Sequence, residues 1–182
     1  MNTSDILCVI KGHYLLSKTV RGVFSPDTLP SRVNTYPSAY VCNTDPSHLP
    51  GQHWVVVWME TPRKAEFFDS LGQCLEHYDD RIKDFIIRNS EKFKCNEIRL
   101  QKRNSTTCGY HVLFYLLMKC RHYTLSDIVR LVSMQDNPDV FVYRYVYQQT
   151  KCMEIFIHHV HTLCLYLIKY DVITNFTYSY FK

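Results

Sequence analysis

The sequence predicts an α+β domain built on a central mixed sheet, and three observations carry that reading. Two strand-like runs, 53–60 and 65–70, are separated by a turn of only four residues. Helical patterns at 78–89, 108–121 and 125–134 fall mainly after the strands rather than alternating with them, which separates this layout from a doubly wound sheet. The chain has 182 residues and no internal repeat, a length that supports one compact core. Residues 1–150 are assigned to the domain and 151–182 to an aromatic-rich C-terminal tail.

Each element has its own signal. Residues 1–23 are a weakly patterned lead-in. Phe24-Ser25-Pro26-Asp27 reads as a turn or helix start, with Ser25 as cap and Pro26 in the first helical position. Ala39 to Thr44 is a short strand, and Asp45 to Gly51 is a loop of turn-forming residues. His53-Trp54-Val55-Val56-Val57-Trp58-Met59-Glu60 is the clearest strand, and its near-continuous apolar run predicts burial on both faces. Thr61-Pro62-Arg63-Lys64 turns the chain into the strand 65–70, so the two strands are antiparallel neighbours.

In Tyr78 to Asn89, Ile82, Phe85 and Ile86 share one helical face, and Asp79, Asp80, Lys83 and Asp84 take the other. Asn96 to Gln101 alternates polar and apolar residues, as a half-buried strand does. A polar loop, 102–107, precedes a helix from Cys108 that is apolar on most sides. Thr124 and Asp127 form a capping pair ahead of the helix 125–134, and Asn137-Pro138-Asp139 opens a further aromatic segment whose Tyr143, Tyr145 and Tyr147 suit packing.

The composition is that of a globular protein: 46% hydrophobic residues, 5 Gly and 7 Pro leave little room for long disordered stretches. A net charge of +4 permits a polyanionic partner without requiring one. No basic-then-apolar leader stands at the N-terminus, and the apolar stretch 155–173 carries too many polar residues to span a bilayer. With no such leader and no Cys-x-x-Cys pair, the 8 cysteines read as free thiols in a reducing compartment rather than as a disulfide framework.

One thiol stands apart by position. A thiol attacks a carbonyl as thiolate, so something must lower its pKa or take its proton. Cys108 sits where a helix begins, and backbone N–H groups and the helix dipole there favour an anion. His53 opens a strand just after a loop, and Asp69 closes the antiparallel neighbour, so both stand at the same edge of the sheet. A carboxylate in that place fixes the tautomer and orientation of the imidazole. The side-chain amide of Gln101, with the Cys108 backbone N–H, supplies donors for an oxyanion.

These residues resemble a known family. Gly51-Gln52-His53-Trp54, then Phe67-Phe68-Asp69-Ser70-Leu71-Gly72, then Gln101 seven residues ahead of Cys108-Gly109, are similar to the adenovirus-type cysteine protease (adenain), the proteases of Polinton/Maverick elements and the SUMO-protease-like superfamily. The likeness runs from about Phe24 to Arg121. The Gln-to-Cys gap and Asn104-Ser105 fit adenain, whereas Asp69 stands where adenain has Glu and is closer to the SUMO proteases. The resemblance implies the cysteine-protease fold of the adenain/SUMO-protease type, with the nucleophile at the N-terminus of a buried helix.

It also implies a mechanism: Cys108 attacks, His53 shuttles the proton, Asp69 steadies His53, Gln101 stabilises the oxyanion, and Trp54 walls a narrow slot for small residues such as glycine. The expected function is a cysteine endopeptidase processing viral or transposon-encoded structural proteins. Alternatives are a deconjugase for SUMO or a ubiquitin-like modifier, and a catalytically inactive DNA- or protein-binding module. Protein substrates, a monomeric state and no membrane association are expected. The expected location is intracellular and reducing, the host nucleus or virion for a virus-like relative.

No cofactor is expected, although the resemblance raises an activating peptide or DNA. Cys95 lies loosely where adenain has its peptide-linking cysteine, but its gap to Gln101 is shorter and that role is not carried over. Lys92, Lys94, Arg99, Lys102 and Arg103 form a loose basic group that reads first as a solvated face. His158, His159, His161 and Cys164 are metal-ligand types without a second ligand group.

Overall fold

The computed structural model describes residues 1–150. Five strands form one mixed sheet in the order β1 (Val20–Phe24), β2 (Ser38–Asn43), β3 (Trp54–Thr61), β4 (Lys64–Phe68) and β5 (Lys92–Cys95). The outer pairs β1–β2 and β4–β5 are parallel, and the inner pairs β2–β3 and β3–β4 are antiparallel. Six α-helices accompany it among the described residues: α1 (Thr3–Gly12), α2 (Tyr14–Thr19), α3 (Asp80–Asn89), α4 (Cys108–Lys119), α5 (Leu125–Ser133) and α6 (Pro138–Thr150).

The apolar run of β3 is buried on both faces, because a different helix covers each. Val55, Val57 and Met59 pack with Phe67 of β4 against Ile82, Phe85 and Ile86, the apolar stripe of α3. The alternate residues meet α4: Phe68 stacks on Tyr115 with centroids 4.4 Å apart, and Lys119 lies 5.3 Å from the Trp58 ring. Helix α4 is buried along almost its whole length. Its outer side is covered by α6, where Tyr143 meets Tyr110, and Phe141 and Tyr145 meet Phe114, edge to face.

Two sequence expectations are corrected. The lead-in is ordered: Asn2 and Asp5 make a reciprocal capping box for α1, and α2 and β1 follow directly. Its short helices escape a periodicity reading because neither reaches three full turns. The strand expected at 96–101 lies at Lys92–Cys95 instead. The segment 96–101 is irregular and held by specific bonds. Asn96 clamps the Asp69 backbone, accepting from its N–H at 2.9 Å and donating to its carbonyl at 2.6 Å. The Ser70 carbonyl accepts from both Leu100 and Gln101 N–H at 2.9 Å. The polar–apolar alternation there does not match burial: Asn96, Leu100 and Gln101 are buried, whereas Ile98 is exposed. The tail 151–182, with its histidine and cysteine group, lies outside the described residues.

Candidate active site

His53 stands one residue ahead of β3, where its carbonyl accepts from Thr44 N–H at 3.0 Å and fixes the backbone. Asp69 stands one residue past β4. Val56 pairs with Phe68, so the sheet register itself carries Asp69 to the level of the start of β3. The two side chains meet: His53 Nε2 lies 2.5 Å from Asp69 Oδ1, with His53 8% exposed and Asp69 fully buried.

Asp69 is held as an anion by four donors. Besides His53 it accepts from Leu71 N–H at 2.9 Å, Gln73 N–H at 2.7 Å and the Tyr78 hydroxyl at 2.8 Å. Burial opposes the charge, but these bonds and the imidazolium outweigh it and hold the carboxyl below its ordinary range. Burial likewise opposes protonation of His53. The hydrogen bonds to Asp69 and Cys108, and the charges of both, outweigh it and raise His53 to about 9. With Nε2 committed to Asp69, Nδ1 is the nitrogen left for the thiol.

Cys108 is the first residue of α4, as the sequence predicts. Burial raises its pKa, but the hydrogen bond and charge of His53 and the Trp54 N–H together bring it below the ordinary thiol value. Other thiols go the opposite way. Burial pushes Cys42 far up, Cys95 to about 11, and Cys120 upward as well. Cys42, Cys74, Cys95, Cys108 and Cys120 are free thiols.

The helix tip is arranged for an anion in another respect. Thr107 occupies the N-cap position, yet its hydroxyl makes no cap bond to α4. It donates instead to Asp139 Oδ1 at 2.8 Å. The Cys108 N–H, at the first helical position, has no intrahelical acceptor to reach.

Gln101 is 4% exposed and fixed at both ends of its amide. Its Oε1 accepts from Ser70 Oγ at 2.8 Å, and its Nε2 donates to the Ser105 carbonyl at 2.6 Å. An amide nitrogen carries two hydrogens, so one N–H of Gln101 remains for a further acceptor. Gln101 does not end a strand, which corrects the sequence reading. Two backbone bonds to Ser70 carry it beside the Asp69 turn.

Trp54 is buried, its main chain paired with Asn43 and its indole N–H donating to the Met1 carbonyl at 3.0 Å. Met1 also packs over Gly109, where an added Cβ would stand 3.0 Å from Met1 Cβ and 3.1 Å from its sulfur. Trp54 lines a polar groove of about 210 Å³ together with Phe24, Asn43, Ser47 and Gly51. Glycine is required at 51 on two counts: its φ is 83°, and an added Cβ would stand 2.5 Å from the Asn43 amide nitrogen.

Three residues of this site escape sequence reasoning. Tyr78 reads as the first residue of a helix, but α3 starts at Asp80 with Asp79 as cap, and Tyr78 stacks parallel to His53 with centroids 6.4 Å apart. Asn96 and Ser70 act through backbone and amide groups, and no spacing rule marks them. Among the described residues no group of three or more His, Cys, Asp or Glu is arranged to hold a metal ion, and no helix is long and apolar enough to cross a membrane.

No family model matches the chain, and no curated protein does. Solved structures do. The chain is similar to the central domain of the uncharacterized Lpg1148 protein from Legionella pneumophila, at 15% identity and TM-score 0.51, covering 83% of this chain and 96% of that one. This likeness shows a shared fold. The ASFV pS273R protease aligns at 24% identity and TM-score 0.40 over 61% of this chain, which spans only 43% of that protein. A second structure of the same protease gives 23% identity and TM-score 0.38.

Proposed function

We propose that the chain is a cysteine endopeptidase in which Cys108 is the nucleophile, His53 the proton carrier, Asp69 its anchor and Gln101 an oxyanion donor. The observation that carries this reading is a buried imidazole oriented by a four-donor carboxylate, with Cys108 at the tip of α4 and the charge of that imidazole lowering the thiol pKa against burial.

The chemistry follows from the charges. The Cys108 thiolate adds to a peptide carbonyl, and the new oxyanion takes the Cys108 N–H and the spare N–H of Gln101. The imidazolium of His53 gives its proton to the departing amine as the C–N bond breaks, leaving a thioester on Cys108. Water then adds with neutral His53 as base. The thioester breaks to a carboxylic acid, and the thiolate–imidazolium pair is restored. Trp54, beside the groove, suits a wall that admits small residues next to the scissile bond. Viral or transposon-encoded structural proteins are the proposed substrates, on the resemblance of the motifs alone.

Cleavage of a Gly-containing peptide by wild type and by Cys108→Ala tests the proposal. The variant is expected to fold and to be inactive, and cleavage at the wild-type rate would end the assignment. A thiol-reactive probe is expected to label Cys108 first in the wild type and to lose that preference in His53→Ala. Preference unchanged by that substitution would leave His53 without the role.

A further inference from the structure

Asp139 lies far from His53, Asp69 and the thiol in the sequence, yet it is tied to the loop that carries the proposed oxyanion donors. It is the second residue of α6 and almost fully buried. Its Oδ1 accepts from Thr107 Oγ1 at 2.8 Å and from His111 Nε2 at 2.9 Å, and its Oδ2 faces Lys102 N–H at 3.4 Å. His111 is itself fully buried on the first turn of α4, and its Nδ1 finds no partner among the described residues. A buried imidazole with one unpartnered nitrogen is costly, so its single bond to Asp139 is the contact that holds it there.

The bonds continue in one direction. Thr107 gives its hydroxyl hydrogen to Asp139, so at the 2.6 Å contact between the two hydroxyls Ser105 is the donor. The Ser105 carbonyl in turn receives one N–H of Gln101. Asp139 therefore reaches both proposed oxyanion donors without touching either. Through Thr107 it holds the residue whose peptide bond carries the Cys108 N–H, and with it the direction of that N–H. Through Thr107 and Ser105 it fixes the rotation of the Gln101 amide, and with it the direction of the second N–H.

We propose that Asp139, braced by His111, is a positioning residue for the oxyanion loop 102–107, acting through Thr107 and Ser105 on Gln101 and the Cys108 N–H. This rests on the chemistry proposed for Cys108 and assigns a role to a residue outside the triad.

Two reagents separate the role from general damage. Acetylation by p-nitrophenyl acetate passes through a tetrahedral oxyanion, forming a thioester on Cys108 and releasing p-nitrophenolate. Alkylation by iodoacetamide displaces iodide directly and develops no oxyanion. Both rates are measured at Cys108 on the full chain, with Cys108→Ala as the background for other thiols. In Asp139→Ala and Thr107→Val, acetylation is expected to fall by about 10-fold or more, since misplacements on the order of 1 Å cost up to ~10². Alkylation is expected to stay within about two-fold, because the His53–Asp69 couple is untouched. Asp139→Asn, which keeps the Oδ1 acceptor, and Thr107→Ser, which keeps the hydroxyl, are expected to recover most of the acetylation rate.

Equal loss in both reactions, or no loss in either, overturns the positioning role, as does failure of the conservative variants to recover. Thr107→Val retains the test if Asp139→Ala does not fold. Absence of any acetylation at Cys108 in the wild type would instead refute the underlying nucleophile assignment, and this role with it.

Discussion

His53 keeps its proton because two anionic partners face it from different elements, and the pH dependence follows. Its folded pKa of about 9 lies above the unfolded value near 6.5, so the stabilisation it contributes is complete below about 6.5 and is lost as pH rises through 9. Amide hydrolysis needs the imidazolium to protonate the amine, so kcat/KM for a peptide is expected to fall through about pH 9. Alkylation of Cys108 needs only the thiolate and is expected to persist there. Asp69→Asn removes the charge that supports the imidazolium. It is expected to move the alkaline limb of the pH–rate profile to lower pH and to slow turnover by roughly 10². A limb that stays in place would mean that Asp69 does not set the proton affinity of His53. For Gln101→Ala the expected loss in kcat is roughly 10²–10³, the range for deleting one oxyanion donor. The places of His53, Asp69 and Cys108 were legible in the sequence because each stands at a strand or helix end, whereas Gln101 was singled out at the end of a strand that the structure does not form. Tyr78, Asn96, Ser70 and Asp139 were not legible. They act by hydrogen bonds across 9, 27, 31 and 32 residues of chain, and such pairings leave no local pattern.

At the scale of elements, the turn after β4 binds two parts of the site together. Gly72 adopts a φ of 67°, and a Cβ there would meet the Ile98 carbonyl carbon at 2.6 Å and the Arg99 nitrogen at 2.7 Å. Both are backbone atoms of the segment that delivers Gln101, so neither yields by rotating a side chain. Gly72→Ala is therefore expected to push 96–101 away from the Asp69 turn. The loss should appear in kcat more than in KM, and thermal melting should show a lower Tm; unchanged kcat would show that the clamp is dispensable. Most elements could be read from the sequence where burial is carried by a continuous apolar run or stripe, as in β3, α3 and α4. The strand at 92–95 could not, because its side chains are largely exposed and its place comes from backbone pairing with β4.

At the scale of the whole molecule, the sheet and α4 are joined by a buried ionic contact as well as by apolar packing. Glu66 of β4 accepts from the Tyr115 hydroxyl at 2.6 Å and from Lys119 Nζ at 3.0 Å, both on α4. Glu66→Leu alone leaves an ammonium buried without its partner and is expected to cost about 3–5 kcal/mol of unfolding free energy, read from denaturant melts. The double change Glu66→Leu with Lys119→Met is expected to cost less, since no charge is stranded. Additive losses would mean that the pair is not coupled. The contact of Met1 with Trp54 and Gly109 has a practical corollary. Any residue joined ahead of Met1 begins its path beside Trp54 and Gly109, the neighbour of Cys108, so affinity tags belong at the opposite terminus, and trimming an N-terminal tag is expected to change the rate of Cys108 labelling.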